Sequence, residues 1–280
     1  MPAAFIRGRF LRFALVWPAL LLAGGCAGGR EEAPPEPVTF SHADWAEVLA
    51  AVVTEDGYVR HDAVRDDPTV RRALDRYITR LGQAGPATAP ALFPDASHKL
   101  AYAINAYNAL ALYGVHRQGL PPNVLLADPT APGALYAIEQ FRLDGRNRTL
   151  ASIELNDVLL ASGRDPRVHF ALNDMARSSP PLLREPYAGE GLEEQLAAQA
   201  KRYLADARAV KPTGPGTVGL NSLLTRFHRP DFEVPATQLT PGGLLPGIRR
   251  FADADSPLHK ATAWQDMGFD WSLNRPPEAE

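Results

Sequence analysis

The side chains that most often carry chemistry are few in this chain of 280 residues, which has one cysteine, Cys26, and seven histidines. Zinc and other transition metals are usually held by cysteines or by histidines at short, regular spacing. The histidines, which show no such spacing, are His42, His61, His98, His116, His169, His228 and His259. Phosphate loops, the glycine pattern of dinucleotide sites and the serine elbow of hydrolases are missing too. We therefore expect no metal and no cofactor.

Cys26 stands at the end of an apolar N-terminal run. Arg7, Arg9 and Arg12 precede that run, and small residues lie directly before Cys26, which is the order of an export signal. The pattern resembles the lipobox of bacterial lipoproteins, in which residues 1–25 would be removed and Cys26 lipidated. The apolar run covers about ten residues against the ~20 that span a bilayer, which disfavours an uncleaved anchor. Secretion without a lipid is the other alternative.

The lipobox implies an envelope location. No aspartate follows Cys26, which is similar to lipoproteins sent to the outer membrane of two-membrane bacteria, so we expect the protein on its periplasmic face. The membrane is the expected partner, reached through lipidated Cys26. Stable attachment would need several lipid chains there, because a single chain holds only weakly. Residues 27–37 are small, charged and proline-rich, which is typical of a flexible tether.

The charge balance indicates which classes of partner the protein is not expected to bind, nucleic acid among them. Without residues 1–25 the chain has 26 basic and 32 acidic side chains, a formal net charge of −6. Binding to nucleic acid needs clustered positive charge, so we expect no nucleic acid. No linker interrupts the sequence after the tether, which predicts one domain over residues 38–274 and a disordered tail at 275–280.

Helical periodicity marks the first half of the domain. A capping box at Ser41–Asp44 predicts one helix, and Asp67-Pro68 opens another. The longest helix is predicted from an N-cap at Ser97 to about Gln118, and Ser152 is predicted to cap a later one.

Strand signals are fewer. Phe141–Leu150 predicts a short hairpin about Asp144-Gly145. Arg167–Leu172 has the character of a buried strand, and Met267–Leu273 is strand-like. The fold class is therefore α+β, a single helix-rich domain with a small, mainly antiparallel sheet.

Three separated segments resemble one family. Lys99–Leu110, Asp165–Leu172 with the following Ser-Pro-Pro-Leu, and Asp270–Asn274 are similar to the signature blocks of domain-of-unknown-function family 547, in the family's order. The resemblance covers roughly Val38 to Asn274, and many bacterial members are exported or lipid-anchored. It also implies a distant kinship with papain-like or transglutaminase-like folds.

The chain departs from that family at the reactive positions. Many members have a histidine after Ile-Glu and a cysteine before the proline of the later loop, which together imply nucleophilic acyl chemistry. Here Leu155 follows Glu154, and Ser179 stands before Pro180. A serine without a neighbouring base is a much poorer nucleophile than a thiolate.

His169 is the remaining candidate base. It is either a core histidine bonded to backbone, a base for Ser178 or Ser179 oriented by Asp174 or Asn173, or a polar group in a ligand pocket.

Other polar side chains have two interpretations each. Asn105 and Asn108 fall on the apolar stripe of the long helix, so each must meet specific partners, in a loop backbone or in a pocket. Arg167 is interpreted either as an ion pair or loop clamp, or as a carboxylate-binding group. Glu154 is interpreted either as a surface helix carboxylate, or as an acid or base. Trp271 fits the core.

These observations predict a lipid-anchored envelope protein whose domain binds or scaffolds, with a small ligand or an envelope protein as partner. The alternative is a hydrolase or acyltransferase acting on amide or ester bonds through Ser179 and His169. A third is a structural protein without a specific ligand.

Overall fold

The computed structural model describes residues 39–124, 135–237 and 242–277. The predicted signal peptide, Cys26 and the tether lie outside these residues, as does the end of the predicted tail. The α-helices are α1 (Ala43–Val52), α2 (His61–Asp66), α3 (Pro68–Gln83), α4 (Ala96–Arg117), α5 (Leu150–Ser152), α6 (Leu192–Ala205), α7 (Arg229–Phe232) and α8 (Leu244–Arg249). The strands are β1 (Phe141–Leu143), β2 (Arg146–Arg148), β3 (Val210–Gly214), β4 (Thr217–Leu220) and β5 (Ala263–Asp266). Two π-helices (Ile153–Leu159 and Leu223–Phe227) and three short 3₁₀ helices (Pro90–Leu92, Pro166–Phe170 and Pro257–Lys260) complete the elements.

The N-terminal helices pack into the larger apolar core. The Asp67 carboxylate accepts a hydrogen bond from the Thr69 N–H, and Pro68 occupies the first turn, so α3 begins where the sequence predicts. Tyr77 of α3 stacks on Trp45 of α1, with ring centroids 5.8 Å apart. Around them α4 lies buried along most of its length, and a helix apolar on nearly all sides belongs in a core.

The two sheets are small. β1 and β2 form the predicted antiparallel hairpin, in which Asp144 and Gly145 take positive φ angles of 48° and 74°. In the second sheet β3 pairs antiparallel with β4, and β4 pairs parallel with β5. The expected α+β class is confirmed, with two sheets in place of one.

Two strand predictions are wrong. Pro166–Phe170 is a 3₁₀ helix, because the Asp165 side chain accepts from the Arg167 N–H and turns the chain. The C-terminal strand ends at Asp266, and in the predicted segment 267–273 only Ser272 and Leu273 form β-bridges, each an isolated one. Gly268 has a φ of +82° that breaks the extension, and its N–H donates to the Asp266 carboxylate.

Three helix caps also differ from expectation. Asp95, and not Ser97, caps α4 by accepting from the His98 N–H. Thr149 caps α5 in a capping box whose other member is Ser152. His42 occupies the N-cap of α1 without a side-chain capping bond, so the predicted box at Ser41–Asp44 does not form.

A second, smaller apolar cluster surrounds α6, β3 and β4 and includes Phe170 and Phe232. None of the helices within the described residues combines the length and the apolarity that crossing a membrane requires.

Candidate functional site

A cavity of about 500 Å³ opens beside the 3₁₀ helix Pro166–Phe170 and the two π-helices. Its wall is mainly apolar and aromatic, with a small polar group of side chains. The lining residues are Tyr107, Val124, Leu135, Tyr136, Leu150, Glu154, His169, Leu172, Asp174, Ser179, Pro180, Leu223, Phe227, His228, Phe269 and Trp271.

Glu154 reaches the cavity from the first π-helix. There the Leu160 N–H donates to the carbonyl of Leu155, five residues earlier, and such wide turns occur frequently at functional sites. The Tyr136 hydroxyl donates to Glu154 Oε2 over 2.8 Å. Burial alone would raise the pKa of Glu154, but the nearby histidines and the Tyr136 hydroxyl bring it below its ordinary value. Glu154 is therefore ionised near neutral pH.

His169 reaches the cavity from the 3₁₀ helix, and its side chain is fully buried. Its Nε2 lies 3.1 Å from Oδ2 of Asp231. Because a carboxylate accepts, Nε2 carries a proton, and in the tautomer protonated only at Nε2 the other nitrogen, Nδ1, has a free lone pair. Nδ1 is buried without a hydrogen-bond partner among the described residues, 3.7 Å from Glu154 Oε1.

His228 follows the second π-helix, where its N–H donates to the Leu223 carbonyl five residues earlier. Its ring stacks on that of His169 with centroids 3.7 Å apart, and its Nε2 lies 3.3 Å from Glu154 Oε1. Burial lowers the pKa of His228 to about 4, so the ring is neutral near pH 7. One donor atom from each of Glu154, His169 and His228 lies within 4.8 Å of the other two.

Ser179 and Asp174 lie in the same cavity and bond to each other. The Ser179 hydroxyl donates to Asp174 Oδ1, which also accepts from the Ala176 N–H over 3.2 Å. Burial raises the pKa of Asp174, and these hydrogen bonds oppose the rise. Since Ser179 bonds to Asp174 and His169 to Asp231, the predicted nucleophile–base bond between Ser179 and His169 does not form.

The side chains of Asn105 and Asn108, the two amides predicted as candidate site residues, lie outside the cavity wall and form hydrogen bonds with loop backbone. Asn105 donates to the Tyr187 carbonyl over 2.7 Å and accepts from the Tyr187 N–H. Asn108 bonds in the same way to the Ala171 carbonyl and the Asn173 N–H. These contacts support the loop-backbone alternative, because both ends of each amide are used in attaching a loop to α4.

Three further predicted lining residues are also placed elsewhere. The Asn173 side chain donates to the Pro180 carbonyl and accepts from the Met175 N–H. The Ser178 hydroxyl accepts from the Asp270 N–H over 2.9 Å. Arg167 forms ion pairs with Asp165 and Glu193.

Sequence reasoning missed several residues of the cavity. His228 and Tyr136 contact Glu154, yet they are far from it in sequence and follow no local spacing. Trp271 was predicted in the core, but it is only partly buried and forms part of the cavity wall.

The fold and the site define a small α+β domain with a mainly apolar cavity and a buried Glu-His-His cluster in the wall of that cavity. Residues 93–204 match the model of the family described as "Protein of unknown function, DUF547". That match supports the family assignment and includes two of the three blocks that carry the resemblance, while Asp270–Asn274 lies beyond it. No curated protein and no solved structure matches the chain, so the expected papain-like or transglutaminase-like kinship gains no support.

Proposed function

We propose that this protein is a lipid-anchored protein of the bacterial cell envelope whose domain binds a small, largely apolar ligand. The cavity carries the binding part of the proposal. Its volume of about 500 Å³ falls within the ~300–1,000 Å³ typical of small-molecule sites. Such sites combine an apolar wall with a few polar groups that orient the ligand, and here those groups are Glu154, Asp174 and Ser179.

Aromatic rings give the cavity a wall suited to an apolar ligand. Phe269 and Trp271 have ring centroids 4.3 Å apart, and Phe227 lies 5.4 Å from Phe269. Phe227 remains 46% exposed, so part of this wall is left in contact with solvent. Covering that surface would contribute binding free energy of about 25 cal/mol per Å² before the entropic costs of association.

The hydrolase alternative is less well supported by the geometry. A serine nucleophile needs a base that accepts its proton, and the base in turn an orienting group. The Ser179 hydroxyl donates to Asp174, while Nε2 of His169 donates to Asp231. These contacts favour binding over acyl transfer.

Binding is tested with an apolar fluorescent dye, N-phenyl-1-naphthylamine, added to the full chain carrying Cys26→Ser. We expect saturable fluorescence enhancement that falls in Phe227→Ser and Trp271→Ala. Leu155→Ser is the matched control, because Leu155 is 47% exposed and lies outside the cavity wall. Equal dye binding in all variants would contradict a ligand site here.

The envelope location depends on Cys26 and is tested separately. We expect palmitate to label the wild-type chain in a bacterial host and to leave Cys26→Ser unlabelled. In fractionated cells the wild-type chain should follow the outer membrane, since no aspartate follows Cys26. Labelling of Cys26→Ser would place the lipid elsewhere.

A further inference from the structure

We infer that Glu154, His169 and His228 form a binding site for a divalent transition-metal ion, with zinc as the representative ion. The metal site lies in the wall of the same cavity and shares Glu154 with the proposed ligand site, but it depends on the two histidine rings and not on the aromatic wall. It also revises the expectation of no metal, which considered only spacing along the chain.

The distances fit a small coordination sphere. Zinc binds histidine nitrogen and carboxylate oxygen at ~2.0–2.2 Å, so two donors on a tetrahedral ion are ~3.3 Å apart. Glu154 Oε1 lies 3.3 Å from His228 Nε2 and 3.7 Å from His169 Nδ1. The three donor atoms are all within 4.8 Å of one another. The rings of His169 and His228 are stacked at an interplanar angle of 18°, so at least one ring must rotate for both lone pairs to meet the ion.

The unpaired nitrogen of His169 independently points to a ligand. A buried polar atom without a hydrogen bond is energetically unfavourable, and His169 Nδ1 is such an atom. Asp231 accepts the proton of the opposite ring nitrogen. A carboxylate that fixes the tautomer of a metal-binding histidine in this way is a common feature of metal sites.

Tyr136 orients the Glu154 carboxylate, as Asp231 orients the His169 ring. Its hydroxyl bonds to Oε2 over 2.8 Å and leaves Oε1 directed towards the two histidines. The competing arrangement has no metal and a doubly protonated His169 that donates to both Glu154 and Asp231. At 3.7 Å the contact with Glu154 is too long for a hydrogen bond.

The donor set selects the class of ion. Two imidazoles and one carboxylate suit zinc and ferrous iron, whereas calcium and magnesium prefer oxygen ligands. Three protein ligands leave a coordination position for water or another small ligand, which is the arrangement of catalytic sites more than of structural ones.

Metal titration of the full chain carrying Cys26→Ser tests the site. After dialysis against EDTA, we expect one equivalent of Zn²⁺ by calorimetry and an intense visible spectrum with Co²⁺, as low-coordinate sites produce. His228→Gln and Glu154→Gln should weaken Zn²⁺ binding by at least about tenfold, and Asp231→Asn by ~10–100-fold. His116→Gln is the matched control and should leave the Zn²⁺ affinity unchanged. It removes one ring from a pair of histidines outside the proposed site, in which His61 Nδ1 lies 3.2 Å from His116 Nε2.

Each outcome decides the inference. Absence of both Zn²⁺ and Co²⁺ binding, or affinity unchanged in Glu154→Gln, would overturn it. If circular dichroism shows that His228→Gln does not fold, wild-type binding of Zn²⁺ and Co²⁺ and the Asp231→Asn titration still decide. Equal dye binding in the wild-type chain and in Phe227→Ser and Trp271→Ala, together with retained Zn²⁺ binding, would contradict the proposed ligand site alone.

Discussion

Asp231 Oδ2 lies 3.1 Å from Nε2 of His169, and this contact determines which ring nitrogen of His169 faces Glu154. The carboxylate comes from α7 and the histidine from a 3₁₀ helix 62 residues earlier. Asp231, which lies outside the matched family region 93–204, therefore orients His169 in the cluster of Glu154, His169 and His228.

Removal of the Asp231 carboxylate should destabilise the fold. Asp231→Ala leaves Nε2 of a fully buried ring unpaired, so we expect a loss of about 1–3 kcal/mol in the free energy of unfolding, measured with urea. Arg164→Ala is the matched control, because its ion pair with Asp231 is made by a side chain that is 59% exposed. That change should cost under ~1 kcal/mol. Equal losses would contradict a specific role for the His169 contact.

Ser179 should not react as an activated serine. Its hydroxyl donates to the Asp174 carboxylate and not to the His169 ring, and an aspartate is ordinarily a weaker base than an imidazole. We expect a fluorophosphonate probe to label the wild-type chain no more than Ser179→Ala, compared by gel fluorescence. Labelling that disappears in Ser179→Ala would restore the hydrolase alternative.

The amide of Asn108 should contribute strongly to stability. Asn108→Ala leaves the Ala171 carbonyl and the Asn173 N–H without their partner, at about 1–3 kcal/mol for each buried group. Asn156→Ala is the control, because Asn156 is exposed and bonds only within its own helical turn, so its loss should stay within ~0.5 kcal/mol. Urea denaturation of both variants measures the difference, and similar midpoints would show that Asn108 does not attach the loop.

Stability should fall in mild acid partly because of His61. Burial and the neighbouring His116 lower the pKa of His61 to about 3, against about 6.5 in an unfolded chain. Between these values the unfolded chain binds a proton that the folded protein does not. His61 should therefore reduce the free energy of unfolding as the pH falls below ~6.5, by at most ~1.4 kcal/mol per pH unit, and have no such effect above it.

His61→Gln measures that contribution. Urea denaturation between about pH 7 and pH 4.5 should show a shallower pH dependence in this variant than in the wild-type chain. His259→Gln, which changes an exposed histidine, should keep the wild-type slope. Identical slopes in all three proteins would assign the acid sensitivity to other groups.

Local features of the chain were predicted well where one turn decides the conformation. Asp67-Pro68 starts α3 because a carboxylate and a fixed φ act within a single helical turn. Asp144-Gly145 forms its hairpin because both residues adopt positive φ readily. Arg167–Leu172 was mistaken for a strand, because a short apolar run has the same composition in a buried 3₁₀ helix.

The sequence alone is sufficient for the α+β class, for the family resemblance, and for Glu154, His169, Asp174 and Ser179 as candidates. Tertiary packing decided the rest. Asn105 and Asn108 hold backbone because their two partners come from a distant loop. Glu154 lies beside His169 and His228 because two π-helices and a 3₁₀ helix converge on the same cavity. The spacing of these three residues along the chain does not indicate that convergence.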